Sequence, residues 1–201
     1  MNNIALIVFT RNPELGKCKT RLASAIGDEA ALRIYEYLLK HTAEISKQVL
    51  ADRYVFYSEN ICENDLWAKE YFNKRLQNGE DLGERMLNAF KYVFEKGYSK
   101  AIIIGSDLLD LEADIVDLAI KDLDTHDCVI GPAQDGGYYL LGLTSLNEEL
   151  FKDKNWGTNT VLVDSLNDLQ NSNVSLLKEL NDIDTFEDIK PYEELKQFYN
   201  S

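Results

Sequence analysis

Short apolar runs alternate with helical segments along this chain, and this alternation restricts the possible folds more than any other feature. Residues 4–9 and 101–105 are continuous apolar runs, typical of strands that are covered on both faces. Strands that alternate with helices predict a mostly parallel, twisted sheet with helices on both faces. Because 201 residues contain neither a repeat nor a linker, we expect one α/β domain over residues 1–201.

The remaining elements follow from periodicity and end signals. The helix predicted at residues 82–96 is the clearest, since Asp81 and Glu84 have capping-box spacing and Gly97 follows its last turn. Thr185 and Asp188 similarly cap a final helix. Further helices are predicted at 19–48 with a break at Gly27, and at 63–72, 112–123 and 159–169. Further strands are predicted at 53–58, 75–77, 128–131, 138–143 and 174–177.

The charge balance excludes several classes of partner. Asp and Glu number 35 against 21 Lys and Arg, a formal net charge of −14, which disfavours nucleic acids and anionic membranes. No apolar run reaches the length of a membrane span, and the N-terminus does not resemble a signal peptide. Three cysteines without paired spacing indicate free thiols in a reducing cytosol, so we expect a cytoplasmic protein.

Polar residues collect after the predicted strands, and ligands of open α/β sheets bind beyond the carboxyl ends of strands. Only the first of these loops is basic, and charge together with helix N–H groups there suits a phosphate, although a solvated helix start is the alternative. It lacks the Walker A pattern, and a G-x-G-x-x-G fingerprint does not occur. The candidate substrate or nucleotide residues of these loops are Thr10, Arg11, Gly16, Lys17, Lys19, Arg21, Gly79, Glu80, Asp81, Ser106, Gly136 and Gly137.

Three aspartates are candidates for chemistry. Asp107 ends a buried strand and could bind a cation that bridges a diphosphate, while Asp110 could serve as the cap of the next helix. Asp135 precedes two glycines and is either a ligand-facing carboxylate or part of a hairpin turn. Asp184 is either a second metal contact or part of the last cap. With only two histidines, any metal should be oxygen-ligated, hence Mg²⁺ or Mn²⁺.

Six segments at characteristic spacing carry a family resemblance: 16–22 (GKCKTRL), 77–86 (QNGEDLGERM), 104–107 (IGSD), 131–139 (GPAQDGGYY), 156–158 (WGT) and 182–185 (DIDT). Together they resemble the bacterial transferases called radical-SAM/selenodomain-associated transferase 1, which are glycosyltransferase-A-type proteins. The resemblance covers nearly the whole chain. It implies a nucleotide-diphospho-sugar transferase fold, a divalent metal, and kinship with molybdopterin-guanylyl and phospholactate-guanylyl transferases.

By this resemblance Asp107 matches the metal carboxylate, and Lys17, Lys19 and Arg21 match the phosphate loop. The family usually has a proline two residues after that Asp, whereas this chain has Leu108-Leu109, which predicts a less restrained loop.

The function expected is a metal-dependent glycosyltransferase with a nucleotide-sugar donor and a small-molecule acceptor. Asp107 would bind the metal, Asp135 would act as base or orient the sugar, and Trp156 would stack on the sugar or simply pack in its loop. A nucleotidyltransferase that uses an NTP is the alternative, and a non-catalytic nucleotide-binding protein is a third possibility. The oligomeric state, the nucleobase and the acceptor are left open by the sequence.

Overall fold

The computed structural model describes residues 3–199, and within them seven strands form one sheet. The spatial order is β3-β2-β1-β4-β6-β5-β7, and every strand except β6 runs in the same direction. The predicted mostly parallel sheet is therefore confirmed. The strands are β1 Ile4–Thr10, β2 Asp52–Tyr57, β3 Asn73–Leu76, β4 Lys100–Ile104, β5 Cys128–Pro132, β6 Tyr138–Leu143 and β7 Val174–Leu176.

Helices cover both faces of the sheet. They are α1 Thr20–Ile26, α2 Asp28–Gln48, α3 Leu82–Glu95, α4 Ala113–Asp122, α5 Val161–Asp168 and α6 Phe186–Ile189, with 3₁₀ turns at Glu148–Phe151 and Glu193–Phe198. Strand β1 shows why its sequence is apolar throughout. Leu6 and Val8 pack with α2 and α4, whereas Ala5 and Ile7 pack with α3 on the opposite face.

The start of α3 follows the predicted cap with one difference. The Asp81 carboxylate accepts a hydrogen bond from the backbone N–H of Glu84 at 2.8 Å. In a complete capping box the Glu84 carboxylate would accept from the backbone N–H of Asp81. Here it accepts from the N–H of Glu80, the preceding residue, at 2.7 Å. The predicted capping box at Thr185 and Asp188 is present at the start of α6.

The helix predicted at residues 63–72 is wrong, because this segment consists of turns and bends. The Asp65 carboxylate accepts from the backbone N–H of Trp67 at 3.0 Å, from the Tyr57 hydroxyl at 2.6 Å and from the Lys74 ammonium at 2.7 Å. An aspartate that bonds the backbone two residues onward competes with helical hydrogen bonding. Trp67, which is fully buried, then anchors the segment to the core.

The interpretation of Asp110 as a helix cap is also wrong. Helix α4 has Glu112 at its cap position, without a side-chain cap bond, and the Asp110 carboxylate accepts from the Tyr192 hydroxyl at 2.8 Å. No helix within residues 3–199 combines the length and apolar character needed to cross a membrane.

Candidate active site

The site lies where the sheet reverses its order of connection. Strand β1 sits between β2 and β4, so the chain leaves β1 to one side and later returns on the other. In open α/β sheets such a switch point opens a crevice at the carboxyl ends of the strands. The loops after β1 and β4 border this crevice, and they carry the basic segment and Asp107, respectively.

A buried ion pair joins these two loops. The Lys19 ammonium lies 3.0 Å from a carboxylate oxygen of Asp107 and 4.0 Å from one of Asp184. Only 7% of the Lys19 side chain is exposed, and its backbone is left-handed with φ 50°. Burial by itself would lower the pKa of Lys19, but the carboxylates of Asp107 and Asp184 hold this pKa above its ordinary value. Lys19 is therefore a fixed positive charge beside the Asp107 carboxylate.

The loop after β4 is held in place despite the absence of a proline. Leu108 and Leu109 are both buried, and they pack in two different parts of the core. The Asp107 carbonyl accepts from the backbone N–H of Ile183 at 3.0 Å. Apolar burial of these two leucines thus anchors the loop, and the expectation of a less restrained backbone stays a prediction.

A cleft with a volume of about 260 Å³ opens beside Asp107. It combines three carboxylates with mostly apolar and aromatic walls. Trp156 meets Tyr138 edge to face, with ring centroids 6.5 Å apart. The lining residues are Leu82, Met86, Gly105, Asp107, Leu108, Ala133, Asp135, Gly137, Tyr138, Tyr139, Trp156, Gly157, Thr158, Val161 and Asp182.

Asp182 is a site residue that the sequence reasoning passed over in favour of Asp184. It lines the cleft, and burial together with the charges of Asp107 and Asp135 raises its pKa to about 6. Asp184 instead accepts a hydrogen bond from the guanidinium of Arg21 at 2.9 Å. The two aspartates flank the fully buried Ile183, so the pattern Asp-Ile-Asp indicated two outward carboxylates without showing which one faces the cleft.

The Asp135-Gly-Gly segment forms the turn that was one of its two interpretations, and it also borders the cleft. The Asp135 carboxylate accepts from the N–H of Gly137 at 2.8 Å, which closes a turn, while Asp135 and Gly137 line the cleft. Gly136 has φ 88°, and a Cβ atom there would lie 2.4 Å from the carbonyl oxygen of Asn159. Glycine is required at position 136, because the turn packs directly on the segment that leads into α5.

The other residues predicted in the basic loop lie outside the cleft lining. The guanidinium of Arg11 donates to the Lys17 carbonyl at 3.1 Å, and the exposed Lys17 ammonium pairs with Glu14 at 2.5 Å. Gly16 supplies a left-handed turn with φ 73°. Thr10 is buried, with its carbonyl accepting from the Gln77 side chain at 3.3 Å. These contacts shape the loop after β1.

Gly79, Glu80 and Asp81 form the N-terminal approach to α3 and are likewise absent from the cleft lining. The carbonyl of Gly79 accepts from the Arg85 guanidinium at 3.0 Å. A Cβ atom at Gly79 would lie 2.7 Å from the backbone nitrogen of Arg85. The segment thus sets the entry of α3, whose Leu82 and Met86 reach the cleft.

Tyr35 is a second residue that the sequence reasoning missed. Its buried hydroxyl accepts from the Arg11 backbone N–H at 3.0 Å, donates to the Arg11 carbonyl at 3.1 Å, and lies 3.5 Å from the Ser106 hydroxyl. It therefore ties the loop after β1 to the end of β4. On the sequence it is one aromatic residue at helical spacing in α2, which is indistinguishable from an ordinary core position.

The donor set of the cleft suits a hard divalent cation. Asp107, Asp135 and Asp182 offer carboxylate oxygens, which Mg²⁺ and Mn²⁺ prefer. Within residues 3–199, no three His, Cys, Asp or Glu side chains are close enough to form a metal cage by themselves. Mg²⁺ typically uses one or two carboxylates and completes its shell with water and substrate phosphates, so the residues present fit such an ion.

The fold and the site define an α/β protein of the nucleotide-diphospho-sugar transferase-like class, and solved structures share this architecture. A protein of Desulfovibrio desulfuricans G20, assigned provisionally as a nucleotide-diphospho-sugar transferase, is 28% identical with a TM-score of 0.88. The match covers 100% of this chain and 94% of that one.

More distant structures share the fold alone. A cytidylyltransferase of Leptospira borgpetersenii is 14% identical with a TM-score of 0.63, over 100% of this chain and 89% of that one. The 4-diphosphocytidyl-2C-methyl-D-erythritol synthase of Anaerococcus prevotii is 10% identical with a TM-score of 0.64, over 98% of this chain and 96% of that one. The first of these two proteins is named as a transferase and the second as a synthase.

The chain belongs to the family described as "Uncharacterized protein conserved in bacteria (DUF2064)", which matches residues 41–158, more than half of its length. No curated protein matches the sequence. The narrower resemblance to radical-SAM/selenodomain-associated transferases stays a prediction.

Proposed function

We propose that this protein is a metal-dependent glycosyltransferase that uses a nucleotide-sugar donor. The observation that carries the proposal is the position of Asp107, which lies at the switch point of the sheet between a buried lysine and the acidic cleft. A transferase of this kind needs phosphate-binding groups and sugar-binding groups on either side of one carboxylate. Asp107 has a basic side chain on one side and the cleft on the other.

On the phosphate side, Lys19 and Arg21 supply positive charge. Lys19 is pre-positioned by burial and by Asp107, and Arg21 is exposed while paired to Asp184. Charged groups that are already oriented stabilise charge that develops on a departing nucleotide without further reorganisation. Mg²⁺ or Mn²⁺ held by Asp107, with Asp182 or Asp135 nearby, would supply Lewis-acid stabilisation of the diphosphate.

On the sugar side, Asp135 and the aromatic pair face the cleft. The Asp135 carboxylate is exposed at the mouth, where it could accept a proton from an acceptor hydroxyl or hold a sugar hydroxyl. The faces of Trp156 and Tyr138 offer a surface for the C–H face of a sugar ring. The cleft volume suits a group of monosaccharide size rather than a complete nucleotide sugar.

Nucleotidyl transfer is the second candidate, favoured by the cytidylyltransferases among the structural neighbours. The backbone hydrogen bonds of the loop after β1 divide it into two parts. The backbone N–H groups of Arg11, Asn12, Glu14 and Lys17 are bonded inside the protein, and Pro13 has none. In the basic half of the loop, the N–H groups of Leu15, Gly16, Cys18 and Lys19 donate no hydrogen bond within residues 3–199, so they can bind a phosphate of either kind of substrate.

The deciding experiment follows the leaving group. We expect slow, Mn²⁺-dependent hydrolysis of at least one nucleotide sugar and no pyrophosphate from any NTP. Asp107→Asn should abolish the hydrolysis, and Asp110→Asn, the same substitution outside the cleft, should preserve it. Pyrophosphate release from GTP or CTP with an acceptor, without sugar release from any donor, would reverse the order of the two candidates. Nucleotide binding without either product would indicate a non-catalytic protein.

A further inference from the structure

The charge distribution of the cleft restricts the non-nucleotide substrate. Among residues 3–199, the side chains that line the cleft include three aspartates and no lysine or arginine. Two basic residues are already paired: Lys19 pairs with Asp107 from outside the lining and offsets the charge of that one carboxylate, and Lys154, two residues before Trp156, is paired with Asp168.

A bound donor does not reverse this charge. A divalent ion on Asp107 would be accompanied by a nucleotide diphosphate whose negative charge is at least as large. At least one of the carboxylates of Asp135 and Asp182 would still face the remaining space, and a second anion there would be repelled at short range.

The walls of the cleft are otherwise apolar. Met86, Val161 and the aromatic rings of Tyr138 and Trp156 provide contact area for an apolar surface, and aromatic faces attract cations. A hydroxyl group could still bond to Asp135 or Thr158.

We infer that the substrate group bound in this cleft is uncharged or cationic and presents an apolar face, and that groups bearing phosphate or carboxylate are excluded. The inference rests on the proposed function, because it concerns the sugar or acceptor that would meet the nucleotide at Asp107. It separates the protein from enzymes that use phosphorylated acceptors.

Trp156 permits a direct test with small ions, since its ring lines the cleft. We would measure collisional quenching of its fluorescence by iodide, caesium and acrylamide at constant ionic strength near 0.15 M, where the Debye length is about 8 Å. The Trp156→Phe variant retains Trp67, which is buried in a different part of the core. Its fluorescence is measured separately and subtracted from that of the wild type.

A reporter at the exposed position 50, introduced as Leu50→Trp in the Trp156→Phe background, corrects for the overall negative charge of the protein. We expect the iodide-to-caesium quenching ratio at Trp156 to be at least about threefold lower than at position 50. Equal ratios would overturn the inference.

Charge removal gives a matched check. Asp135→Asn should raise iodide quenching of Trp156, whereas Asp114→Asn, which removes the same charge from an exposed position of α4, should leave it unchanged. Equal responses of the two variants would assign the selectivity to the whole-protein field and contradict the inference.

Probe molecules and products complete the test. Benzyl alcohol and benzylamine should bind at Trp156 at least tenfold more tightly than phenyl phosphate, and the reverse order would overturn the inference. Transfer to a phosphorylated acceptor would also overturn it while leaving the transferase proposal standing. Cation-selective quenching and binding without any transfer would support the inference while the proposed function failed.

Discussion

At the scale of single residues, the Lys19–Asp107 pair combines a cost in stability with a place in the proposed site. Removing two charges from water costs several kcal/mol per ion, and the attraction between them recovers that cost only when the geometry is good. Here the ammonium is almost fully buried, whereas the carboxylate remains about one-third exposed. Under the proposed function, a metal ion would bind Asp107 from the cleft side while Lys19 stays in place.

We expect Asp107→Asn to abolish metal-dependent nucleotide binding while the fold is retained. Loss of the carboxylate would remove the hard oxygen ligand, and it leaves Lys19 with the more distant Asp184. Because Asp107 is about one-third exposed, solvent screening lowers the cost of breaking the pair, and stability should fall by about 1–2 kcal/mol. Calorimetric titration of Mn²⁺ with nucleotide measures the first effect, and urea unfolding measures the second. Wild-type affinity in the variant would remove Asp107 from the metal site; Asp110→Asn is the control.

Asp182→Asn should stabilise the ligand-free protein at neutral pH. Because the folded-state pKa of Asp182 is raised to about 6, the wild type loses stability as the pH rises from about 4 to about 6, and the charge remains unfavourable above that range. The variant avoids this cost, which we put at about 1–2 kcal/mol after allowance for partial solvent exposure.

Urea unfolding of the Asp182→Asn variant between pH 3.5 and 8 without divalent ions tests this sign. The stability difference from wild type should vanish near the acid end and be largest above pH 6. The charges that surround Asp182 are those of Asp107, Asp135 and Lys19, so Mg²⁺ should shrink the difference. As a control, Asp184→Asn loses the Arg21 contact and should give no such gain in stability. A stability difference between Asp182→Asn and wild type that is the same at all pH values would refute the explanation.

Arg21→Ala should weaken the binding of nucleoside diphosphates more than the binding of nucleosides. A charge-assisted hydrogen bond contributes on the order of 1.5–3 kcal/mol, or roughly tenfold to one-hundredfold in affinity. Titration of matched nucleosides and diphosphates measures the difference. Arg33→Ala serves as control because Arg33 is an exposed residue of α2 paired with Glu29. Equal weakening of both ligand types would show that Arg21 acts through packing or through the base.

At the scale of elements, α3 connects local sequence to the cleft. Its first turn is determined by Asp81 and Glu84, and its side chains Leu82 and Met86 then form part of the cleft wall. An irregular segment, residues 58–72, is instead held by Lys74, whose ammonium donates to the carbonyls of Cys62 and Glu63 and to Asp65. The start of α3 thus follows local rules, whereas this segment depends on a strand that comes later in the chain.

We expect Asp81→Ala to destabilise the protein by about 1 kcal/mol, because the N–H of Glu84 loses its acceptor. Glu112→Ala is the matched control: Glu112 occupies the same cap position at α4 but makes no side-chain cap bond. Its effect on the free energy of unfolding should be close to zero. Chemical unfolding of both variants provides the comparison, and equal destabilisation would mean that the cap bond of Asp81 contributes nothing specific.

At the scale of the whole molecule, the excess of negative charge acts against the compact state. A formal net charge of −14 produces self-repulsion that salt screens, whereas exposed ion pairs, which salt also weakens, contribute little each. Raising KCl from 20 to 200 mM should therefore raise the midpoint of urea unfolding. The free energy of unfolding should increase by on the order of 1 kcal/mol. Trehalose of equal osmolality controls for general solute effects, and a lowered midpoint would show that ion pairs dominate.

The fold was predictable because its determinants are local and repeated. The apolar residues 4–9 and 101–105 require cover on both faces, and this requirement implies a parallel sheet wherever helices intervene. The error at 63–72 arose because Asp65 bonds a tyrosine before it and a lysine after it, and pairings between separate segments leave no periodic signal.

The sequence by itself determined the class of fold, the loops that border the candidate site, and the place of Asp107 after a buried strand, because the ends of buried strands can be read from local patterns. Only the tertiary structure decided that Asp182 rather than Asp184 faces the cleft, that Tyr35 joins two loops, and that Lys19 lies against Asp107. The reason is geometric: which side chain faces the cleft depends on how a loop packs against segments far away in the chain. That packing follows from the complete core, and no short stretch of sequence specifies it.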